Sequence, residues 1–300
     1  MAAKLFELVV EVSPGFADAA SASLFAAGVA GLQQRRIRHR VELVAWSEQR
    51  ALVDRWKKSV ARALGERAVV RVRPSAQSDW QSRWARGLAP VKLGRKFVVC
   101  PTRAGERPRL AGHRIAIVPS LTFGLGDHPT TRLAARAVER WARVSPGGKL
   151  LDVGCGTGIL CFVGVLSGAA RAVGIDRDRA AIENARKNAT LNGLAERTSF
   201  HAAARTLRAK FDLAVSNIGL TTLLELRRQL APLAPRLVLT GVLESEVERL
   251  GTAYGRSGFA VVRTERRNGW AVLTLVRGAD RAARWAAHGK VATTRRARGP

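Results

Sequence analysis

The stretch KLLDVGCGTGILCFVGVLSG, Lys149 to Gly168, runs from one apolar segment through alternating glycines directly into another. A strand apolar at successive positions has no face to give to water, so it belongs in a sheet covered on both sides, which in practice is a parallel one. Parallel strands need a crossover after each strand, and the sequence supplies them. Next come the strand ARAVGID (Ala170 to Asp176), a helix over RDRAAIENARKNATLNG ending at Gly193, and the strand FDLAVSN (Phe211 to Asn217). A helix across Leu220 to Leu230, the strand RLVLTG (Arg236 to Gly241) and a helix through Glu244 to Gly255 continue the alternation. FAVVRTERR and WAVLTLVR close the series, and the Asn268–Gly269 turn between them predicts an antiparallel hairpin at the sheet edge. From about Leu88 onward the expectation is an α/β sheet layered between helices.

The earlier residues follow another pattern. KLFELVVEV alternates with period two, and FADAASASLFAAGV (Phe16 to Val29) has helical spacing after the turn SPG. Two strands around LQQRRIRHRVELVAW, a helix from about Ser47 to Leu64 and the strand AVVRVRP ending at Pro74 complete the unit. Strand, helix, strand, strand, helix, strand is the order of a ferredoxin-like α+β unit, a scaffold used mainly for binding. The expected domains are residues 1–75, a linker over 76–100, the sheet domain over 101–277 and a flexible basic tail over 278–300. In the linker, DWQSRW places Trp80 and Trp84 one helical turn apart, as a core or interface staple would be. The tail sets Arg281, Arg284, Lys290, Arg295, Arg296 and Arg298 against Asp280 alone.

Composition bounds the setting. A chain of 300 residues exceeds the usual single domain, and 47% hydrophobic residues suffice for a core. Cys100, Cys155 and Cys161 form no CxxC pair, which points to a reducing compartment without a disulfide framework or a zinc site. The start reaches Glu7 and Glu11 too soon for a secretory apolar core, and no window is long and apolar enough to span a bilayer. A soluble, cytoplasmic protein away from membranes is expected. The net charge of +28 attracts polyanions, in the cytoplasm chiefly RNA and DNA. Its clusters are RRIRHR (Arg35 to Arg40), the stretch from Arg95 to Arg114, and the tail. Two readings stay open: nucleic-acid contact, or an arginine-rich solvated surface.

In such a sheet a ligand sits beyond the carboxyl ends of the strands, where the strand order switches. DVGCGTG stands at that place, and Gly154, Gly156 and Gly158 let the backbone turn tightly and approach a ligand. A glycine loop alone would equally suit a dinucleotide. Asp152, just before the loop, would gain nothing from a pyrophosphate but would favour a cationic ligand. Asp176 ends the next strand, where a carboxylate can accept both hydroxyls of a ribose. A nucleoside with a positive centre and no phosphates satisfies both: S-adenosylmethionine. A second polar loop, TFGLGDHPTT (Thr122 to Thr131), lies just upstream, and the two read as walls of one pocket. In SNIGL, Asn217 ends a strand facing the same crevice, where its carbonyl could hold an incoming amine; the alternative is an asparagine capping the next helix.

LTFGLGDHPTTRLAARAVE, LLDVGCGTGILCFVGVLSGAARAVGIDRDRAAIENARKNATLNG, FDLAVSNI and LTGVLESEVERL together resemble the PrmA-type methyltransferases of large-subunit ribosomal protein eleven. DWQSRWARGLAPVKLGRKFVVCP is similar to the stretch joining that family's two domains, and the resemblance covers nearly everything from Asp79 to Arg277. The glycine motif is generic to class I methyltransferases, whereas the FGxGxHPTT run is specific to this family and its close relatives. The resemblance implies a seven-stranded Rossmann-like class I sheet behind an N-terminal ferredoxin-like substrate-recognition domain. It also implies S-adenosylmethionine as cofactor and a large-subunit ribosomal protein as substrate. By the same resemblance Thr131, Gly154, Gly156, Asp176 and Asn217 contact the cofactor, with Phe123 and His128 lining the site. The chain departs where Leu125 and Asp127 replace the usual threonines, Gly219 makes NIGL of NILA, Ala85 replaces lysine, and TGVL replaces SGIL. These departures bear on the protein substrate and the rate rather than on the cofactor pocket.

The implied chemistry is an in-line displacement in which a nitrogen lone pair attacks the cofactor's methyl carbon. The sulfonium is already a good leaving group, so positioning and desolvation supply most of the acceleration. A lysine ammonium must first lose its proton, and an apolar pocket favours the neutral amine. Asn217 and the backbone carbonyl of Ile218 are the expected orienting acceptors, with no metal or protein nucleophile required. His128 either shapes the loop or acts as a general base. The expected activity is methylation of lysine side-chain or amino-terminal amines of a ribosomal protein, with rRNA contact through the basic patches. RNA methylation, suggested by the charge, and non-catalytic binding on the ribosome, suggested by the departures, are the alternatives.

Overall fold

The computed structural model describes residues 5–29, 32–47, 49–75, 90–102, 113–118, 126–202 and 210–278. Trp80, Trp84, Ala85, Phe123, Leu125 and the basic tail beyond Gly278 lie outside the described residues. Two compact units divide the chain, one of Met1–Val91 with Val98–Leu125, the other of Lys92–Phe97 with Gly126–Pro300.

The first unit begins with β1 (Leu5–Val12), α1 (Ala17–Ala26), β2 (Gln33–Ile37), β3 (Arg40–Ser47), α2 (Arg50–Leu64) and β4 (Ala68–Ser75). Its sheet has the order β2-β3-β1-β4 with every neighbouring pair antiparallel, the ferredoxin-like arrangement. Val53, Trp56, Val60 and Leu64 recur every three or four residues along α2 and form its buried stripe. They share a core with Leu8, Val10, Val12, Leu43 and Ala45, the alternate residues of β1 and β3. The intervening Glu7 and Glu11 point to the other face, where they pair with Arg73 and Arg71. Short strands β5 (Val91–Leu93), β6 (Phe97–Pro101) and β7 (Arg114–Ile117) follow, the last two paired in parallel.

The second unit holds α3 (Pro129–Val144), β8 (Lys149–Val153), α4 (Ile159–Leu166), β9 (Arg171–Asp176), α5 (Arg179–Leu191) and β10 (Thr198–Ala202). It continues with β11 (Leu213–Asn217), α6 (Leu220–Leu230), β12 (Arg236–Leu243), α7 (Val247–Gly255), β13 (Phe259–Arg267) and β14 (Trp270–Arg277). The seven strands have the order β10-β9-β8-β11-β12-β14-β13, parallel except that β14 runs against both neighbours. The chain thus leaves β8 toward β9 and β10, then crosses back to β11 and β12, and the switch in order falls between β8 and β11. Leu150, Leu151, Leu213, Ala214, Val215 and Leu237 to Leu239 are buried, as strands covered on both faces must be. Gly164 lets α4 lie close on the sheet, because a Cβ there would run into Leu150 Cδ2. Among the described residues no helix is long and apolar enough to cross a membrane.

The alternation expected for a class I methyltransferase sheet is thus present, down to the hairpin of β13 and β14. Strand β10 escapes the sequence reading because it is an edge strand with only Thr198 and Phe200 turned inward. A buried carboxylate that the sequence does not announce ties α3 to the turn between β5 and β6. Glu139, only 8% exposed, accepts from the backbone N–H of Arg95 through both oxygens, at 2.9 and 3.1 Å, and from that of Lys96 at 3.3 Å. Gly94 leaves it room, since a Cβ there would strike the carboxyl group. Glu139→Ala strands two backbone donors and should lower the unfolding free energy by about 2 kcal/mol, whereas Glu139→Gln, which keeps one acceptor oxygen, should lose less than half as much. Urea denaturation of the two variants beside the parent chain measures this.

Candidate functional site

The loop after β8 is built by three residues in the left-handed region, Gly154 (φ 78°), Gly156 (φ 51°) and Gly158 (φ 82°), which any side chain would strain. It is pinned from several sides. The N–H groups of Gly154 and Cys155 both donate to the carbonyl of Ile175 in β9, at 2.8 and 3.1 Å. The buried amide of Asn188 in α5 donates to the carbonyl of Thr157 at 3.1 Å, and the buried hydroxyl of Ser216 in β11 donates to that of Val153 at 2.8 Å. Asn188 shares the inward face of α5 with Ala181 and Ala185, so a polar residue at an apolar helical position was the one available sign of its role.

Asp176, at the end of β9, is oriented by the same loop. Its Oδ2 accepts from Gly156 N–H at 3.0 Å and its Oδ1 from Asp178 N–H at 3.0 Å, so both oxygens are held in place while keeping lone pairs for a ligand. Asp152 stands just before the loop. It is 1% exposed, and burial, helped by the charge of Asp176, pushes its carboxyl up to about 8. Cys161 Sγ lies 3.9 Å from Oδ2, and among the described residues Oδ1 has no hydrogen-bond partner. Asp152 is therefore easier to protonate than an ordinary carboxylate, and a cationic ligand beside it would pull it down again. Burial likewise pushes the thiols of Cys155 and Cys161 up, leaving them unreactive.

The upstream polar loop meets the end of β11 through one hydrogen bond. Asn217 Nδ2, at the end of β11, donates to Thr131 Oγ1 at 3.3 Å, and Thr131 is buried in the first turn of α3. The bond turns Asn217 Oδ1 into the acceptor half of the side chain. The capping alternative falls away, since the N-cap of α6 is Gly219, which has no side chain to serve as one. Ile218 donates its N–H to Thr240 at 3.1 Å, and its carbonyl lies over Gly241, where a Cβ would approach to 2.5 Å. Its side chain meets Gly154 similarly, since a Cβ there would come within 2.6 Å of Ile218 Cγ2. Thr131, Gly154, Gly156, Asp176, Asn217 and Ile218 thus gather around the carboxyl ends of β8, β9 and β11.

His128 is the N-cap of α3. Its Nδ1 accepts from Thr130 N–H at 3.3 Å and lies 2.7 Å from Thr130 Oγ1, while its ring sits edge-on to Trp270 with centroids 4.9 Å apart. Burial pushes the imidazole down to about 4, so at neutral pH it is uncharged with its proton on Nε2. A ring so reluctant to take a proton, with one nitrogen already capping a helix, is suited to shaping the loop rather than to general-base work. Burial also pushes the neighbouring Asp127 carboxyl up, against the opposing pull of Arg132. The imidazole makes stability depend on pH with a definite sign. Below about 6.5 the unfolded chain protonates this ring but the folded chain does not until about 4, so folding should lose on the order of 3 kcal/mol as the pH falls through that window. His128→Asn, which keeps a capping group without the titration, should flatten that segment of a plot of unfolding free energy against pH. An unchanged slope in the variant would assign the dependence elsewhere.

Comparison with known proteins joins this geometry to a lineage. The profile of the family described as Ribosomal protein L11 methyltransferase (PrmA) matches residues 15–278. The ribosomal protein L11 methyltransferase of Sorangium cellulosum (strain So ce56) is 35% identical over 268 residues, 82% of this chain and 82% of its own. That of Xylella fastidiosa (strain 9a5c) is 35% identical over 216 residues, 69% of this chain and 70% of its own. Among solved structures, ribosomal protein L11 methylase from Lactobacillus delbrueckii subsp. bulgaricus matches with a TM-score of 0.57 at 27% identity, covering 64% of this chain and 100% of that one. Glycine loop, braced carboxylate and the bond from Asn217 to Thr131 therefore stand in a known setting, and the chain belongs to the ribosomal protein L11 methyltransferase family, whose members depend on S-adenosylmethionine.

Proposed function

We propose that this chain transfers methyl groups from S-adenosylmethionine to lysine side-chain or amino-terminal amines of ribosomal protein L11, acting in the cytoplasm. The bond from Asn217 Nδ2 to Thr131 Oγ1 carries the reading, because it fixes an acceptor oxygen at the mouth of the crevice. The residues present suit the cofactor. Asp176, braced by two backbone amides, would accept from the ribose hydroxyls. The side-chain-free backbone of Gly154 and Gly156 would lie alongside it, with Thr131 and Asn217 at the amine's side. When bound, the cofactor supplies an electrophilic methyl group on a positively charged sulfur.

The rest belongs to the chain's own groups. Asn217 Oδ1 and the Ile218 carbonyl accept from the amine's N–H groups and so aim its lone pair. An apolar pocket favours an amine that arrives without its proton. rRNA contact is the second element of the proposal. In the hairpin of β2 and β3, Arg36, Arg38, His39 and Arg40 are exposed around Ile37, itself 48% exposed, so the cluster foreseen there lies open to a polyanion.

Incubation of the full chain with labelled cofactor and purified ribosomal protein L11, followed by mass mapping of the labelled residues, tests the assignment; label confined to RNA would overturn it. Asp176→Ala should weaken S-adenosylhomocysteine about 100-fold in calorimetric titration, since two charge-assisted hydrogen bonds are lost. Asn217→Ala should behave differently, lowering turnover by more than it lowers cofactor affinity. Equal losses in the two measurements would make Asn217 a cofactor ligand rather than an orienting group.

A further inference from the structure

We propose that the arginine face shared by α3 and the edge strand β13 is a docking surface for the phosphate backbone of RNA. The proposal extends the RNA contact read from the chain's charge and is independent of the methyl-transfer reading. Arg132, Arg136, Arg140 and Arg143 recur at spacings of four, four and three, which places them on one face of α3. Strand alternation places Arg263, Glu265 and Arg267 together on one face of β13, the outermost strand of the sheet. The two faces meet, because Arg140 pairs with Glu265, which also pairs with Arg263 at 3.3 Å. Six arginines thus gather around Glu265, whose charge is already engaged, with the Asp127 carboxyl beside Arg132 as the other acidic group within reach.

This is not an arrangement that folding favours. Like charges one turn apart on a helix oppose it by about 0.2–0.5 kcal/mol per pair. The guanidinium of Arg132 is pushed down by burial first, with the charges of Arg267 and Arg136 adding to it despite Asp127; that of Arg140 is pushed down by burial first, with Arg263 and Arg143 adding to it despite Glu265. Arg136 and Arg143 stand exposed at the surface, so no core packing explains them. Nor can the chain supply the missing countercharge, with 51 basic residues against 23 acidic ones. The anion must come from outside. Arg132 and Arg143 are separated by about 16 Å along the helix, and the phosphates of a DNA duplex lie about 3.4 Å apart along the axis of each strand, those of an RNA duplex still closer, so the stripe spans several of them. Evenly spaced charge along a line, met by planar forks that grip phosphate oxygens two at a time, describes a nucleic-acid backbone better than a folded acidic protein.

The test uses the full chain and a fluorescein-labelled RNA stem-loop, with affinity read by anisotropy across a salt series. The triple variant Arg136→Gln, Arg143→Gln, Arg267→Gln should weaken binding about tenfold or more at moderate salt and lower the slope of log affinity against log salt by about 2. A control that removes the same charge from the other unit, Arg50→Gln, Arg55→Gln, Lys57→Gln, should change both far less. Unaltered S-adenosylhomocysteine affinity and thermal midpoint in the first variant would show that the fold and cofactor crevice are intact. Equal losses in the two variants would overturn the proposal in favour of net charge alone, as would displacement of the RNA by polyglutamate at equal charge concentration. Failure of methyl transfer to ribosomal protein L11 with RNA binding intact would count against the proposed activity and leave this surface standing.

Discussion

One carbonyl oxygen organises the catalytic unit. Ile175 O, the last backbone acceptor before Asp176, receives the N–H groups of Gly154 and Cys155 together. Two successive amides can converge on one acceptor only if the backbone between them turns sharply, which Gly154 permits at a φ of 78°. Once that turn is made, the next amide in the loop with a free direction, that of Gly156, reaches Asp176 at 3.0 Å. The carboxylate's aim, the loop's path and the start of α4 thus follow from one pair of bonds between adjacent strand ends. Asn188 and Ser216 add rigidity from the remaining sides, and both are buried, so their polar atoms have few alternatives to these bonds.

The architecture was legible where apolar runs were long. The strands β8, β9, β11 and β12 announce themselves because burial on both faces leaves no polar residue to blur them, and Gly193 and Asn268–Gly269 mark stops by chain geometry. Legibility failed at the edges and at polar supports. Thr198 and Phe200 are too few inward positions to make β10 periodic, and nothing local distinguishes Glu139, a glutamate in an arginine-rich helix, from a solvated one. The positions of Asp176 and Asn217 at the crevice were legible because strand ends are named by topology. At Asp152 the position beside the glycine loop is legible, but the burial that raises its carboxyl is a property of the fold.

Charge shows the same division. Composition tells that positive residues outnumber negative ones, yet not which of them become neighbours. Arg140 and Glu265 are 125 positions apart and still form a pair, because β13 returns to lie beside the helix that precedes β8. The crowding of arginines around that pair is visible only after the sheet has brought the end of the chain back to the start of the unit.

That return has a consequence for how the protein is made. β14 is buried from Trp270 to Val276 and lies between β12 and β13, so the strand that completes the sheet is the last of the seven to leave the ribosome. Until it emerges, β12 presents an unpaired edge and β13 has no partner, although the cofactor-side turn of β8 and β9 could already be closed. The unit is therefore committed to a vectorial assembly. Its ligand-side half is synthesised early, and its outer half waits for a late strand that must insert between two earlier ones. A release or truncation before Trp270 would leave a chain with a formed glycine loop and an open, aggregation-prone edge.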